Sequence, residues 1–265
     1  MSAFVSVAQA REMDGVRLVL TANAPGPWGE AAKGMLHVKG IPFTRVLQEG
    51  GGENADLVAW TSVRNAPQIV DESGNSVSAW RDLIAWAEAH EPQPRLVPED
   101  PSERELMFDL TESLAGEGGF GWCRRLLLFK PIMDLAKQGD EPNPAFAAVT
   151  RMADAYHYSD EAAGRASKDC AAILNRIAER LRAQRERRAR YLVGAELSAL
   201  DIHWAAFAAM VSPLPDELCP MPDYLRESYG KLDETVAAAA NAAPELLEHR
   251  DFIYREHLEL PVVIN

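Results

Sequence analysis

Residues 16–47, VRLVLTANAPGPWGEAAKGMLHVKGIPFTRVL, set the reading of the whole chain. The run VRLVLTA (16–22) is short, β-branched and leucine-rich, and so reads as a buried strand. Asn23, Ala24, Pro25, Gly26 and Pro27 form a loop by their proline and glycine content. Pro27 suits the first position of a helix, where its missing N–H costs nothing, and Trp28, Ala31, Ala32 and Met35 follow at helical spacing. Gly40 stops that helix, and FTRVL (43–47) is a second strand. Two strands joined through a helix should lie parallel with a right-handed crossover.

Downstream, residues 54–61 read as a further helix, and Pro67 opens a strand over 68–71. A turn at 72–75 leads to a short returning strand at 76–78, and then to a helix with Trp80, Leu83, Ile84 and Ala87 on one face. This order, βαβ, a connecting helix, then ββα, is that of a thioredoxin-like domain with a four-stranded sheet. Residues 91–101, EPQPRLVPEDP, carry four prolines and form a semi-rigid linker. From 102 onward no alternating strand pattern appears, so the back half reads as helix. The expected organisation is an N-terminal extension (1–15), a thioredoxin-like domain (16–90), a linker (91–101) and an all-helical domain (102–265), an α/β plus all-α fold.

The 265 residues, 47% hydrophobic, suffice for one large or two modest cores. The net charge of −13 argues against a nucleic-acid partner. No apolar run approaches the ~20 residues of a membrane span. Arg11, Glu12 and Asp14 leave no room for the apolar core of a secretory signal. Cys123, Cys170 and Cys219 are odd in number and far apart, which suits a reducing cytoplasm rather than disulfides or a metal site. Seven arginines between 176 and 190 read either as an anion-binding stripe or as the solvated face of a long helix backed by Ile177, Ala178 and Leu181.

The segment YLVGAELSALDI (191–202) carries a helix start: Ser198 can cap, Asp201 can bond back to the cap's own N–H, and Leu197 can staple onto Ile202. Together with the βαβ–ββα order, the Ala66-Pro67 strand opening and the linker, it resembles the buried central helix of cytosolic glutathione transferases. The resemblance covers roughly 16–208. It implies a glutathione site on the front domain, a hydrophobic second-substrate site between the domains, and a two-fold homodimer. In that family the thiol is activated by a Tyr ending the first strand or by a Ser or Cys opening the first helix. Here those positions hold Ala22 and Gly26, so Asn23 and the indole N–H of Trp28 become the candidate catalytic groups, with a turn role as the other reading of Asn23. The family's Glu-Ser pair falls at Ala79-Trp80, with Ser78 one residue early and suited to capping the helix. The implied glutathione-binding set is Gly26, Pro27, Trp28, Asn65, Ala66, Pro67, Ser78, Ala79 and Trp80, with Ala66-Pro67 expected cis.

The glycine-rich GEGGFG (116–121) precedes Trp122, Arg124 and Arg125. It reads either as an aromatic and cationic wall of the inter-domain cleft, with Phe120, Trp122 and Arg124 on the hydrophobic substrate, or as a bend between helix segments. His203 reads as a satisfied core histidine, and no metal-ligand spacing is present. Two function classes stay open. One is a cytoplasmic enzyme that adds glutathione or a related thiol to a hydrophobic electrophile, or removes it. The other is a non-catalytic scaffold of the same fold that binds a small molecule or a protein.

Overall fold

The computed structural model describes residues 3–137 and 146–265. The front part is built on β2 (Val16–Thr21), α2 (Pro27–Val38) and β3 (Phe43–Gln48), and β2 and β3 pair in parallel from Val16 opposite Phe43 to Thr21 opposite Gln48. Leu18, Val19 and Leu20 are buried on both faces of the sheet, as a central strand of continuous apolar residues requires. The α2 helix ends in a Schellman motif. Gly40 takes φ +66°, its N–H bonds the His37 carbonyl (3.0 Å), and the Ile41 N–H bonds that of Leu36 (2.9 Å). Beyond α3 (Ala55–Thr61), β4 (Gln68–Val70) runs antiparallel to β2, β5 (Ser76–Val77) antiparallel to β4, and α4 (Trp80–His90) follows. The Ala66-Pro67 bond is cis, as expected.

The sheet has five strands rather than the expected four. Residues 4–5 form β1 (Phe4–Val5), parallel to β3 and covering its outer edge, and α1 (Val7–Arg11) continues from it with a Ser6/Gln9 capping box. Two residues carry no periodicity, so nothing local marked them. The strand order is β1-β3-β2-β4-β5.

The proline-rich segment is pinned along its length. Buried Lys39 donates to the Glu91 and Pro94 carbonyls (2.7 and 2.9 Å) and pairs with Glu88 at 2.7 Å, while Leu96 is buried and its carbonyl accepts from the Ala199 N–H. Helices follow: α5 (Pro101–Ala115), α6 (Phe120–Ala136), α7 (Ala147–Ala155), α8 (Asp160–Glu186), α9 (Ala199–Phe207), α10 (Asp223–Gly230), α11 (Glu234–Asn241) and α12 (Glu245–His257). No strand occurs in the back half among the described residues; 138–145 lie outside them.

All nine residues of α9 are buried, and the helix packs on α2, α5 and α12 at the centre of the molecule. Its start is held by Asp201, whose carboxylate accepts from the Ser198 N–H (3.0 Å) and hydroxyl (2.6 Å), the Leu192 N–H (2.8 Å) and His249 Nε2 (2.8 Å). The arginine-rich end of α8 is spent on neighbours. Arg176 reaches Asp109, Arg180 the Leu192 carbonyl, Arg182 Glu245 and Arg185 Glu248, while Arg190 lies over the Phe252 ring. That face is a tie to α5 and α12 more than a free anion stripe.

Candidate functional site

A cavity of about 810 Å³ lies between the front sheet and the helices. One wall is the end of β2, the loop to α2, the turn before β4 and the start of α4. The facing wall comes from α5, α6, α7 and α10, and Val263 and Ile264 close one side.

At the front wall, Gly26 is the N-cap of α2 and Pro27 its first residue. The backbone N–H groups of Trp28 and Gly29 have no partner among the described residues, as the first turn of a helix dictates. A Cβ at Gly26 would meet nothing within 4 Å, so the approach to this turn is open. Asn23 lines the cavity in the left-handed region (φ 60°), and its side-chain amide has no hydrogen-bond partner among the described residues. Its N–H donates to the Ile264 carbonyl at 2.6 Å. The backbone therefore uses Asn23 as a turn residue while leaving its amide to the cavity.

Trp28 does not offer its indole N–H. That group donates to the Ala115 carbonyl at 2.8 Å, and the ring packs edge-on to Phe207 (4.9 Å) and against Tyr156 (6.0 Å). The residue locks the front wall to the helical one, because an indole N–H buried between domains must find an acceptor. Opposite, the β2–β4 ladder ends at Gln68, so the backbone of Ala66 is not spent on the sheet, and Asn65, Ala66 and Pro67 line the cavity. Ser78 does not cap α4: the N-cap is Ala79, with no side-chain bond. The Ser78 hydroxyl, with Ala79 and Trp80, is part of the wall instead. Arg81 turns away, lying over the Trp80 and Phe108 rings at 4.8 Å each.

The facing wall separates the residues expected after GEGGFG. Residues 116–119 form the bend between α5 and α6, and Gly116, Glu117 and Trp122 line the cavity. Phe120 and Arg124 do not. Phe120 is in the core against Trp204. Arg124 is 1% exposed, its guanidinium donating to the carbonyls of Met210 (2.9 Å), Tyr229 and Lys231 (3.2 Å each). It serves as an internal clamp on the chain between α9 and α11. The next residue, Arg125, faces the cavity beside Tyr156 and Tyr229. Burial pushes the Tyr156 phenol above its ordinary value, so it stays protonated at neutral pH.

Several wall residues had no sequence signal. Gly50 to Gly52 lie beside α7, where Arg151 donates to the Gly51 carbonyl at 2.8 Å. The tail is fastened by the Val262 N–H on the Leu218 carbonyl (2.7 Å) and by Lys33 on the Val263 carbonyl (3.1 Å). Lys33 also pairs with Glu30 at 2.7 Å, and burial raises the Glu30 pKa against that pairing. His203 is a satisfied core residue, with Nδ1 on the Ala199 carbonyl at 2.7 Å and its pKa lowered by burial to about 4. Among the described residues no cluster could hold a metal ion, and no helix is long and apolar enough to cross a membrane.

No protein-family model and no curated protein sequence matches this chain. Solved structures do. A glutathione S-transferase from Methylobacterium radiotolerans, in complex with glutathione sulfonate, superposes with a TM-score of 0.60 at 18% identity, covering 91% of each chain. Ure2p in complex with glutathione gives 0.63 at 12% identity, over 94% of this chain and 95% of that one. A beta-class glutathione S-transferase from Sphingomonas chungbukensis gives 0.59 at 17%, over 91% and 93%. With the βαβ–ββα sheet, the cis Ala66-Pro67 bond and the buried, capped α9, these likenesses show that the chain has the glutathione S-transferase fold.

Proposed function

We propose that the protein binds glutathione or a related thiol at the front wall of this cavity, and joins it to, or removes it from, a hydrophobic electrophile held against the helical wall. The observation that carries this reading is the unspent first turn of α2. The Trp28 and Gly29 N–H groups open onto the cavity past a residue without a side chain, with the Ala66 backbone, the Asn23 amide and the Ser78 hydroxyl around the same space. A helix N-terminus carries a partial positive charge and favours an anion such as a thiolate. Such a site lowers a thiol pKa without a hydroxyl donor, and the thiolate is the nucleophile. In this reading Asn23 assists from the side, Trp28 holds the two walls in register, and Phe129, Trp122 and Tyr156 receive the apolar substrate.

The relatives crystallised with glutathione or its sulfonate support the choice of ligand. A two-fold homodimer in the cytoplasm belongs to the same proposal; sedimentation of the 29.2 kDa chain as a monomer at micromolar concentration would count against it. The second reading, a non-catalytic binding scaffold, is favoured by one observation: the wall offers no hydroxyl or thiol at Ala22 or Gly26, and the Trp28 indole is engaged elsewhere. Calorimetric titration with reduced glutathione tests the first requirement. With no acidic side chain at Ala79-Trp80, glutathione should bind at least tenfold more weakly than to a family member that keeps the Glu-Ser pair, since one charge-assisted bond is worth about 1.5–3 kcal/mol. Low-micromolar binding would refute that loss. Heat of binding followed by thiolate absorbance below the free thiol's pKa supports the enzyme. Binding without thiolate supports the scaffold, and no binding removes the glutathione reading and leaves a scaffold for another ligand.

A further inference from the structure

Arg125 differs from the other engaged arginines of the interior. Arg45 pairs with Glu259, and Arg124 is wrapped by three carbonyls. Arg125 has no carboxylate partner among the described residues. Its guanidinium donates to the Tyr229 hydroxyl at 2.9 Å and stands 5.4 Å from that ring's centre, and Tyr156 lines the same wall of the cavity. The acids nearest the same wall are committed elsewhere: Glu112 to Arg81, Glu117 beside His157, and Glu30 to Lys33. An arginine cannot shed its proton, and this half-buried guanidinium presents its charge to the cavity with no carboxylate beside it among the described residues. The Tyr229 hydroxyl orients the fork, and neither it nor the neighbouring Tyr156 is a carboxylate partner.

Around this cation the wall is aromatic. Tyr156 contacts Trp122 (4.7 Å), Phe129 (5.6 Å) and Trp28 (6.0 Å), so an apolar surface runs unbroken from the α2 start to the guanidinium. We propose that this half of the cavity takes an aromatic ligand bearing an anionic group, a carboxylate or sulfonate, and that Arg125 is the residue that selects it. The planar fork accepts such a group bidentately while the rings receive the apolar body. A wall meant only for neutral hydrophobic compounds gains nothing from a cation at its floor. The inference does not depend on a thiol at the front wall.

Fluorescence titration of the full chain with 1-anilinonaphthalene-8-sulfonate and with its uncharged counterpart N-phenyl-1-naphthylamine tests it. The sulfonate is expected to bind wild type at least tenfold more tightly than the neutral compound. Arg125→Met should erase that preference by weakening the sulfonate alone, and Arg125→Lys should restore part of it. Equal loss of both probes, or none, in Arg125→Met overturns the proposal. A second measurement on unaltered protein covers the case in which the variant does not fold: the sulfonate should shield Arg125 from phenylglyoxal, read by peptide mass spectrometry. Undiminished modification at saturating sulfonate would be equally fatal.

Discussion

Replacing Asp201 by alanine removes an acceptor that four groups share at the centre of the molecule. The carboxylate is fully buried, and Leu192 and Ser198, whose N–H groups it receives at 2.8 and 3.0 Å, are 0% and 2% exposed. The Ser198 hydroxyl can rotate to another acceptor and His249 can change tautomer, but the two backbone donors are fixed by the chain entering α9. Each orphaned, water-inaccessible donor costs about 1–3 kcal/mol, so Asp201→Ala should destabilise by about 2–6 kcal/mol. That is a large share of the roughly 5–15 kcal/mol that holds an ordinary domain folded. Asp201→Asn keeps one acceptor oxygen of the same shape while presenting an amide to the other donor, so it should cost about half as much. His249→Phe alone should be milder, and in combination with Asp201→Ala less than additive, because the two share one bond. Urea unfolding followed by far-ultraviolet circular dichroism gives the differences directly. A loss under about 1 kcal/mol for Asp201→Ala with an unchanged denaturant slope would show that water or another group already serves these donors, and the account of the α9 start would fail.

Three further outcomes follow. Asn23→Gly preserves the left-handed turn, which alanine would strain, and removes only the amide; thiolate formation by bound glutathione should fall tenfold or less, and complete loss in the absorbance titration would make Asn23 the principal activator. Gly121→Ala would put a Cβ 2.4 Å from Phe207 and 2.8 Å from the Trp28 ring, costing about 1–3 kcal/mol in chemical denaturation and shifting Trp28 fluorescence; a neutral result would mean that the two walls slide freely. His203, neutral in the fold down to about pH 4, binds its proton near pH 6.5 once unfolded, so its contribution falls as pH drops through that window and is flat above it. His203→Phe should therefore lose less stability than wild type between pH 6.5 and 4 in parallel urea titrations, and identical slopes would refute the assignment.

What the sequence determined by itself is what short-range chemistry encodes. The positive-φ glycine at position 40, proline at the first position of α2, the serine–acid spacing at 198 and 201, and the apolar run of β2 each act within a few residues, so their meaning survives without the rest of the chain. The order of these signals was enough for the fold. Of the residues named from the sequence, Asn23, Gly26, Asn65, Ala66, Pro67, Ser78, Ala79, Trp80 and Trp122 line the cavity, whereas Phe120 and Arg124 do not. The tertiary structure decided the rest. Arg124 and Arg125 are neighbours in sequence, yet successive helical positions point about 100° apart, so one is wrapped in carbonyls and the other faces the cavity. Trp28 was available as a donor until Ala115, 87 residues away, took its N–H. Residues 4–5 and 262–265 became a strand and a wall because unpaired backbone groups of distant elements waited for them. A hydrogen bond between such partners is set by the packing that brings them together, and no spacing along the chain records it.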